Sequence, residues 1–367
     1  MATGEASGDM LAATLADAMR AFEPGVQFSG IGSERMQAAG FDLTTQTRGW
    51  ASMGPLEALS KIPPLFVNVW QHAFWLRARP RDLIVLVDFG AYNLRFARAL
   101  RRIGYRAPIL YYFPPGAWLD RPKQAAEVDA VTVPLTAFEH QRDFYRSLGL
   151  EIAWFGHPLL SLVEPRVPRP PASAAGGTVA LLPGSRRGEL ERHAGRLFDA
   201  VRLLRAARPE LRVVASAADA DAEEFLREHP ARAGLEVSIV RGAREALDAA
   251  DVALIASGTA VLEAALREVP AVALYVISRA QVRIAKRVWR GRFITLPNLL
   301  LDRPVVPELL QDAATPEALA GAAQTLLAEP GAQLADYRAL RARLGPPDAL
   351  QRCAAFAVAL ARSARRG

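Results

Sequence analysis

Thr178-Val179-Ala180-Leu181-Leu182-Pro183-Gly184-Ser185-Arg186-Arg187 decides the fold. A short apolar run stops at Pro-Gly-Ser, and a helical pattern covering 187–205 opens directly behind it. A run this short, apolar on both alternating faces, reads as a strand covered on both sides of a parallel sheet. The same grammar returns at Asp251-Val252-Ala253-Leu254-Ile255-Ala256, followed by Ser257-Gly258-Thr259 and a second helix over 259–267. Further strands are expected at 211–215, 235–240 and 272–276, with helices over 222–228, 243–249 and 279–289.

The unit recurs upstream. Strands are expected at 26–30, 83–88, 108–113, 130–133 and 152–155, alternating with helices over 8–22, 94–103 and 137–148. Leu11, Leu15 and Met19 stand at i, i+4 and i+8 of the first of these helices. Alternation of this kind predicts two doubly wound parallel sheets wrapped by helices. Between the halves, 158–177 holds five prolines and ends in Ala-Ala-Gly-Gly, a linker composition. The expected organisation is a first domain over 1–157, a linker over 158–177, a second domain over 178–345 and a C-terminal helix over 346–367 that packs back on the first domain. A cleft between the carboxyl ends of two strand sets is where this fold class binds ligands.

Composition bounds the function. The chain has 367 residues, 51% of them hydrophobic and 23% charged, which supports two packed cores and excludes wholesale disorder. Its 45 basic residues exceed 38 acidic ones. Only Lys61, Lys123 and Lys286 are lysines, and the arginines are scattered among carboxylates without forming a tail. That distribution argues against nucleic acid and suits phosphate or anionic headgroups. Cys353 is the single cysteine, so no intramolecular disulfide or cysteine-rich metal site is possible, as in a reducing, cytosolic setting. No run approaches the roughly 18 apolar residues of a spanning helix, so a soluble or surface-bound protein is expected.

Several residues carry candidate chemistry. Gly184 lets backbone N–H groups approach an anion, and Arg186 can fork onto phosphate oxygens beside a helix start; an ordinary turn with a surface arginine is the plainer alternative. Ser257 or Thr259 would cap the helix behind Gly258, and Glu263, one turn on, would reach a ribose or simply lie on the helix surface. Two such helix starts in one domain describe a nucleoside-diphosphate pocket better than either alone. No Walker-type loop occurs, and Gly30-Ile31-Gly32 lacks the third glycine of a dinucleotide fingerprint. Asp88 ends an apolar strand, where it is either a catalytic carboxylate or the cap of the next helix. Gly4-Glu5-Ala6-Ser7-Gly8-Asp9 is a polar loop opening a helix, and His157 follows another strand, where a structural role is commoner. Asp219-Ala220-Asp221 reads more readily as a turn than as a metal site. The segment 62–76 carries Leu65, Phe66, Val69, Trp70, Phe74 and Trp75 beside Lys61, Arg77, Arg79 and Arg81, and fits an interfacial or acyl-contacting helix as well as a core one.

Together these stretches resemble the lipid A disaccharide synthases, inverting glycosyltransferases of the GT-B fold. The likeness runs through the 4–9 loop, Gly32 to Gly40, Met53-Gly54 with Glu57, Phe155-Gly156-His157, Leu181 to Arg186, Ala256 to Thr259 with Leu262-Glu263, and Leu296-Pro297-Asn298-Leu299-Leu300. It implies two Rossmann-like domains facing across a cleft. The implied reaction moves a 2,3-diacylglucosamine unit from its UDP derivative to 2,3-diacylglucosamine 1-phosphate, forming a β-1,6 disaccharide and UDP without metal or cofactor. Asp88 would be the general base, Arg186 and the 257–259 turn would stabilise the departing diphosphate, and Gly184, Ser185 and Glu263 would complete the UDP site. Glu5, Ser7, Asp9, Asn93, His157 and Asn298 would face the acceptor. The aromatic segment would meet acyl chains at the inner face of the cytoplasmic membrane, and a homodimer is compatible with the sequence.

The sequence departs from the family pattern in places. Asp88-Phe89-Gly90-Ala91-Tyr92-Asn93 stands where the family reads D-x-P-D-F-N, so Ala91 replaces a second carboxylate; the 113–118 loop and the segment after Tyr275 also differ. Two other readings therefore stay open: a UDP-sugar transferase with another donor or acceptor, and a catalytically degenerate UDP- and membrane-binding relative. Only Met1-Ala2-Thr3 precede the first loop, where the family has a strand of about six residues. The expectation is a first domain lacking most of that central strand, with the native chain starting upstream.

Overall fold

The computed structural model describes residues 1–4, 6–47, 55–117, 121–167, 176–288 and 291–366. The chain divides into two compact units, Met1–Leu162 with Leu344–Gly367, and Val163–Arg343.

Unit 1 runs α1 (Ala6–Phe22), β1 (Ser29–Gly32), α2 (Glu34–Ala38), β2 (Asp42–Gln46), α3 (Pro55–Ala78), β3 (Ile84–Val87), α4 (Gly90–Arg102), β4 (Ile109–Tyr112), α5 (Pro122–Val131), β5 (Val133–Thr136), α6 (Glu139–Ser147), β6 (Ala153–Trp154) and α7 (Leu159–Leu162). Strands β3, β4, β5 and β6 pair side by side and parallel, and β1 pairs parallel with β2. Every residue of β3 and β4 is buried, as a parallel strand covered on both faces requires.

Ala2 joins the two sets of strands. Its N–H donates to Val85 O at 2.9 Å and its carbonyl accepts from Val87 at 2.9 Å. On the other side Ile31 N–H donates to Met1 O at 2.9 Å, and Thr3 N–H to Ile31 O at 3.0 Å. Three residues thus hold the place of a strand between β1 and β3. Beside them lies a cavity of about 130 Å³, lined by Phe28, Ser29, Trp75, Leu83, Ile84 and Val358 among others. The Met1 ammonium donates to Ser29 O at 2.7 Å, and its enclosure, with Arg81 nearby, pulls its pKa down to about 5.

Unit 2 runs β7 (Thr178–Leu182), α8 (Arg187–Ala207), β8 (Arg212–Ala217), α9 (Ala220–Glu228), β9 (Ser238–Arg241), α10 (Ala243–Ala249), β10 (Val252–Ala256), α11 (Thr259–Leu266), β11 (Ala271–Tyr275), α12 (Arg279–Val288), α13 (Leu296–Leu301), β12 (Glu308–Leu310), α14 (Pro316–Ala328) and α15 (Gly331–Arg343). Its six strands are parallel in the order β12-β11-β10-β7-β8-β9. The chain then returns to unit 1 as α16 (Ala349–Arg366), which buries Leu350, Cys353, Ala354, Ala357 and Val358 in the cluster that holds Leu11, Leu15 and Met19 of α1.

Differences from the sequence reading have local causes. Ala130 and Val131 finish α5 instead of starting a strand, and β5 begins only at Val133. Strand β2 was not anticipated, because Asp42-Leu-Thr-Thr-Gln46 has no apolar run; its burial alternates between half-buried and exposed. The aromatic helix is longer than expected and starts at Pro55. Asp219 caps α9 by accepting from Ala222 N–H at 2.9 Å, which accounts for the Asp-x-Asp pair.

Candidate active site

In unit 2 the turns after β7 and β10 lie on neighbouring strands, since Ile255 pairs with Leu182. Both helix starts expected to meet a diphosphate therefore share one rim at the carboxyl edge of the sheet. They differ in what occupies them. At α8 the Glu189 carboxylate folds back on the turn: Oε2 accepts from Ser185 N–H at 3.1 Å and Arg186 N–H at 3.3 Å, and Oε1 lies 3.5 Å from the Arg186 guanidinium. Gly184, at φ +112°, makes room for this carboxylate, because a Cβ there would stand 2.5 Å from Glu189 Oε2.

The α11 start carries no side-chain cap. Its N-cap is Gly258, so neither Ser257 nor Thr259 plays the capping part expected of them. Gly258 is exposed with open space around its Cα, and Ser257 N–H is tied to Leu274 O at 2.9 Å. This is the helix start whose N–H dipoles face outward without a side-chain acceptor. Glu263 lies one turn on, 3.8 Å from Arg267, which is itself buried and paired with Asp248.

In unit 1, Asp88 and Phe89 both adopt left-handed backbone conformations, with φ 48° and 47°. Non-glycine residues reach this region at a cost of about 1–2 kcal/mol each, and such strain concentrates at functional sites. Three bonds fasten the turn. Asp88 N–H donates to Tyr112 O at 2.9 Å, and Asp88 O accepts from Asn93 Nδ2 at 2.8 Å and Tyr111 Oη at 3.1 Å. Gly4 is required beneath it, since a Cβ there would come within 2.4 Å of the Phe89 ring. Helix α4 takes Phe89 as N-cap with no side-chain bond from it, and Asp88 is exposed at the strand end.

The residues expected to face the acceptor are mostly internal. Asn93 is fully buried and also donates to Ala2 O at 3.3 Å and Val87 O at 3.1 Å. Asp9 accepts from Ser33 N–H and Oγ, both at 2.7 Å, and from Arg35 and Met36 N–H at 3.1 and 3.3 Å, so it caps α2. His157 lies between Phe113 and Phe138, with ring centroids at 5.6 and 5.5 Å, and its Nδ1 accepts from Leu159 N–H. Burial lowers its pKa to about 3, so it stays neutral at ordinary pH. Asn298 Oδ1 accepts from Val305 and Val306 N–H, and its Nδ2 donates to Val306 O and Glu308. These four side chains are at most 3% exposed. Their polar atoms largely hold turns in shape, apart from Asn93 Oδ1, which is buried without a hydrogen-bond partner. Ser7 is half-buried in the first turn of α1, and Glu5 lies outside the described residues.

The apolar helix α3 splits by face. Val69 is core, Trp70 and Trp75 pack partly against that core, and Arg79 and Arg81 each lie 5.3 Å over the Trp75 ring. Val67 and Phe74 point outward, 55% and 56% exposed, with exposed Gln71 between them. The side chains of Leu65 and Phe66 lie outside the described residues. Among the described residues, no helix is long and apolar enough to cross a membrane.

A family model described as lipid-A-disaccharide synthetase matches residues 1–343. The lipid-A-disaccharide synthase of Azotobacter vinelandii is 39% identical, over 99% of this chain and 98% of that protein. This chain belongs to the lipid-A-disaccharide synthetase family. Other members include the Pseudomonas aeruginosa synthase, 36% identical over 93% of each chain, and that of Myxococcus xanthus, 35% identical over 96% of this chain and 94% of the other. Among solved structures, the S. aureus MnaA–UDP complex superposes with a TM-score of 0.64 at 11% identity, covering 96% of this chain and 93% of that one. The glycosyltransferase of kitacinnamycin gives 0.60 at 15% identity, over 98% of each chain. These likenesses establish the fold, two Rossmann-like domains of the GT-B kind. Glu189 was within reach of the sequence reading, as a carboxylate three residues after the N-cap Arg186 in the manner of a capping box. The carbonyl clamp by Tyr111 had no sequence signal.

Proposed function

We propose that, in the lipid A disaccharide synthesis of this family, unit 2 holds the UDP-sugar donor and Asp88 of unit 1 activates the acceptor. The chain is a glycosyltransferase that forms the lipid A disaccharide with release of UDP. The observation that carries the assignment of roles is the strained, exposed Asp88, fastened through its own backbone by Tyr112, Asn93 and Tyr111. A carboxylate so held can take the proton of the acceptor hydroxyl as that oxygen attacks the anomeric carbon. The bond from that carbon to the UDP oxygen breaks, and charge develops on the leaving diphosphate. The uncapped start of α11 and the Arg186 guanidinium are suited to stabilise it, as outward N–H dipoles and a fork-shaped cation. Glu189 occupies the α8 turn, so the diphosphate is assigned to α11 rather than shared equally between the two helix starts. Glu263 is assigned to the donor's ribose hydroxyls.

The outward stripe of Val67 and Phe74, with Arg77 beyond it, is assigned to the lipid surface from which acylated substrates come. The location we propose is peripheral, on the inner face of the cytoplasmic membrane. A donor and acceptor panel tests the whole reading. UDP-2,3-diacylglucosamine with 2,3-diacylglucosamine 1-phosphate should give UDP and a disaccharide seen by mass spectrometry. Faster turnover of unacylated UDP-N-acetylglucosamine would assign a different substrate.

A further inference from the structure

Helix α8 carries a clasp that the reaction as described does not use. His193 is fully buried. Its Nδ1 lies 2.9 Å from Pro183 O, in the turn that leads to Arg186, and its Nε2 accepts from Val276 N–H at 3.0 Å, just past the end of β11. The neighbouring Arg192 donates through Nε to Val276 O at 2.9 Å. Both backbone groups of Val276 are therefore held by adjacent side chains of α8. Strands β7 and β11 flank β10 in the sheet, so the clasp spans the strand whose end carries Ser257, Gly258 and Thr259.

The chemistry fixes the ring's state. The Val276 N–H can only donate, so Nε2 must be unprotonated, and the proton sits on Nδ1, donated to Pro183 O. A protonated ring would turn a second N–H against the Val276 N–H. The groups facing it are Glu189 and Arg192 from its own helix, Tyr275 from β11 at 6.0 Å between ring centroids, and the Pro183 carbonyl. Burial lowers its pKa from the ordinary 6.5, consistent with that neutral state.

We infer that His193 is a positioning residue for the donor diphosphate: as a neutral Nδ1–H tautomer it sets the spacing between the Arg186 turn and the end of β11, on either side of the α11 start. The inference rests on the assignment of the diphosphate to Arg186 and α11. It acts on binding of the nucleotide, not on the acceptor.

Calorimetric titration of UDP into the full-length chain, with steady-state kinetics on both substrates, provides the test. In His193→Leu, loss of the two bonds should weaken UDP by about tenfold and raise the donor KM, with the acceptor KM unchanged. His193→Gln, whose amide offers one donor and one acceptor, should restore most of the affinity. Leu197→Ala, which opens the core beneath the same helix, should lower the melting temperature without changing UDP affinity measured well below it. Equal UDP affinity in His193→Leu and wild type, or an equal loss in Leu197→Ala, overturns the inference. Arg186→Ala separates the two levels. If it weakens UDP while His193→Leu does not, the positioning role alone fails; if Arg186→Ala binds UDP normally, the diphosphate assignment fails with it.

Discussion

Acetylating the amino group of Met1 should stabilise unit 1, and by an amount that depends on pH. The ammonium sits enclosed against Ser29 O with Arg81 nearby, and its pKa falls from an ordinary 8.0 to about 5. The folded state therefore disfavours the cation. Above pH 8 both folded and unfolded chains carry the neutral amine and nothing is lost. As pH falls below 8 the unfolded chain takes up a proton that the folded chain refuses, and stability declines until pH 5. Integrating that difference gives about 1.4 kcal/mol lost at pH 7 and about 3.7 kcal/mol at pH 5. An Nα-acetyl group removes the titration, keeps the N–H that donates to Ser29, and extends the peptide into the cavity beside Ser29 and Leu83. Urea unfolding at pH 5, 6, 7 and 8, followed by tryptophan fluorescence and with Met1 retention verified by intact mass, measures both forms. All other groups titrate equally in the two, so the difference isolates the amine. The acetylated form should gain about 2 kcal/mol over the free form between pH 7 and pH 5. Parallel pH dependences would refute the reasoning.

Other outcomes follow from single contacts. Glu189→Ala removes the acceptor of two turn N–H groups and should cost about 1–2 kcal/mol, read as a lower melting temperature that bound UDP partly restores. Asn298→Ala strands the Val305 and Val306 N–H groups and should cost about 3 kcal/mol or more; a loss under 1 kcal/mol in denaturant unfolding would contradict its structural part. Replacing Val67 and Phe74 with serine should change stability by no more than about 0.5 kcal/mol while reducing co-sedimentation with anionic vesicles; undiminished sedimentation would remove α3 from the lipid surface.

The parallel sheets were legible because β3, β7 and β10 are buried along their whole length and carry apolar residues on both faces. The strand Asp42–Gln46 was not, because its polar alternation leaves no apolar run. At the site, Arg186 and Gly258 could be read from a strand–turn–helix grammar that is local in sequence. The parts played by Asp9, Asn298 and His193 could not. Asp9 binds backbone 24 to 27 residues away, and His193 reaches Val276 across 83 residues. A polar residue in a motif gives no sign of whether it is buried or exposed; the structure shows that Asn93 and His157 are buried. The left-handed pair at Asp88 and Phe89 also escaped the sequence: Asp is enriched in that region, but Phe is not, and nothing in the sequence marks two consecutive residues there.

The most direct test of the central claim is disaccharide formation by wild type and Asp88→Asn, with UDP-2,3-diacylglucosamine and 2,3-diacylglucosamine 1-phosphate supplied in detergent micelles. Wild type should form the disaccharide with one UDP released per product, and Asp88→Asn should lose at least a hundredfold in kcat while binding UDP as tightly. Undiminished turnover by Asp88→Asn, or UDP binding without any disaccharide from wild type, would contradict the account.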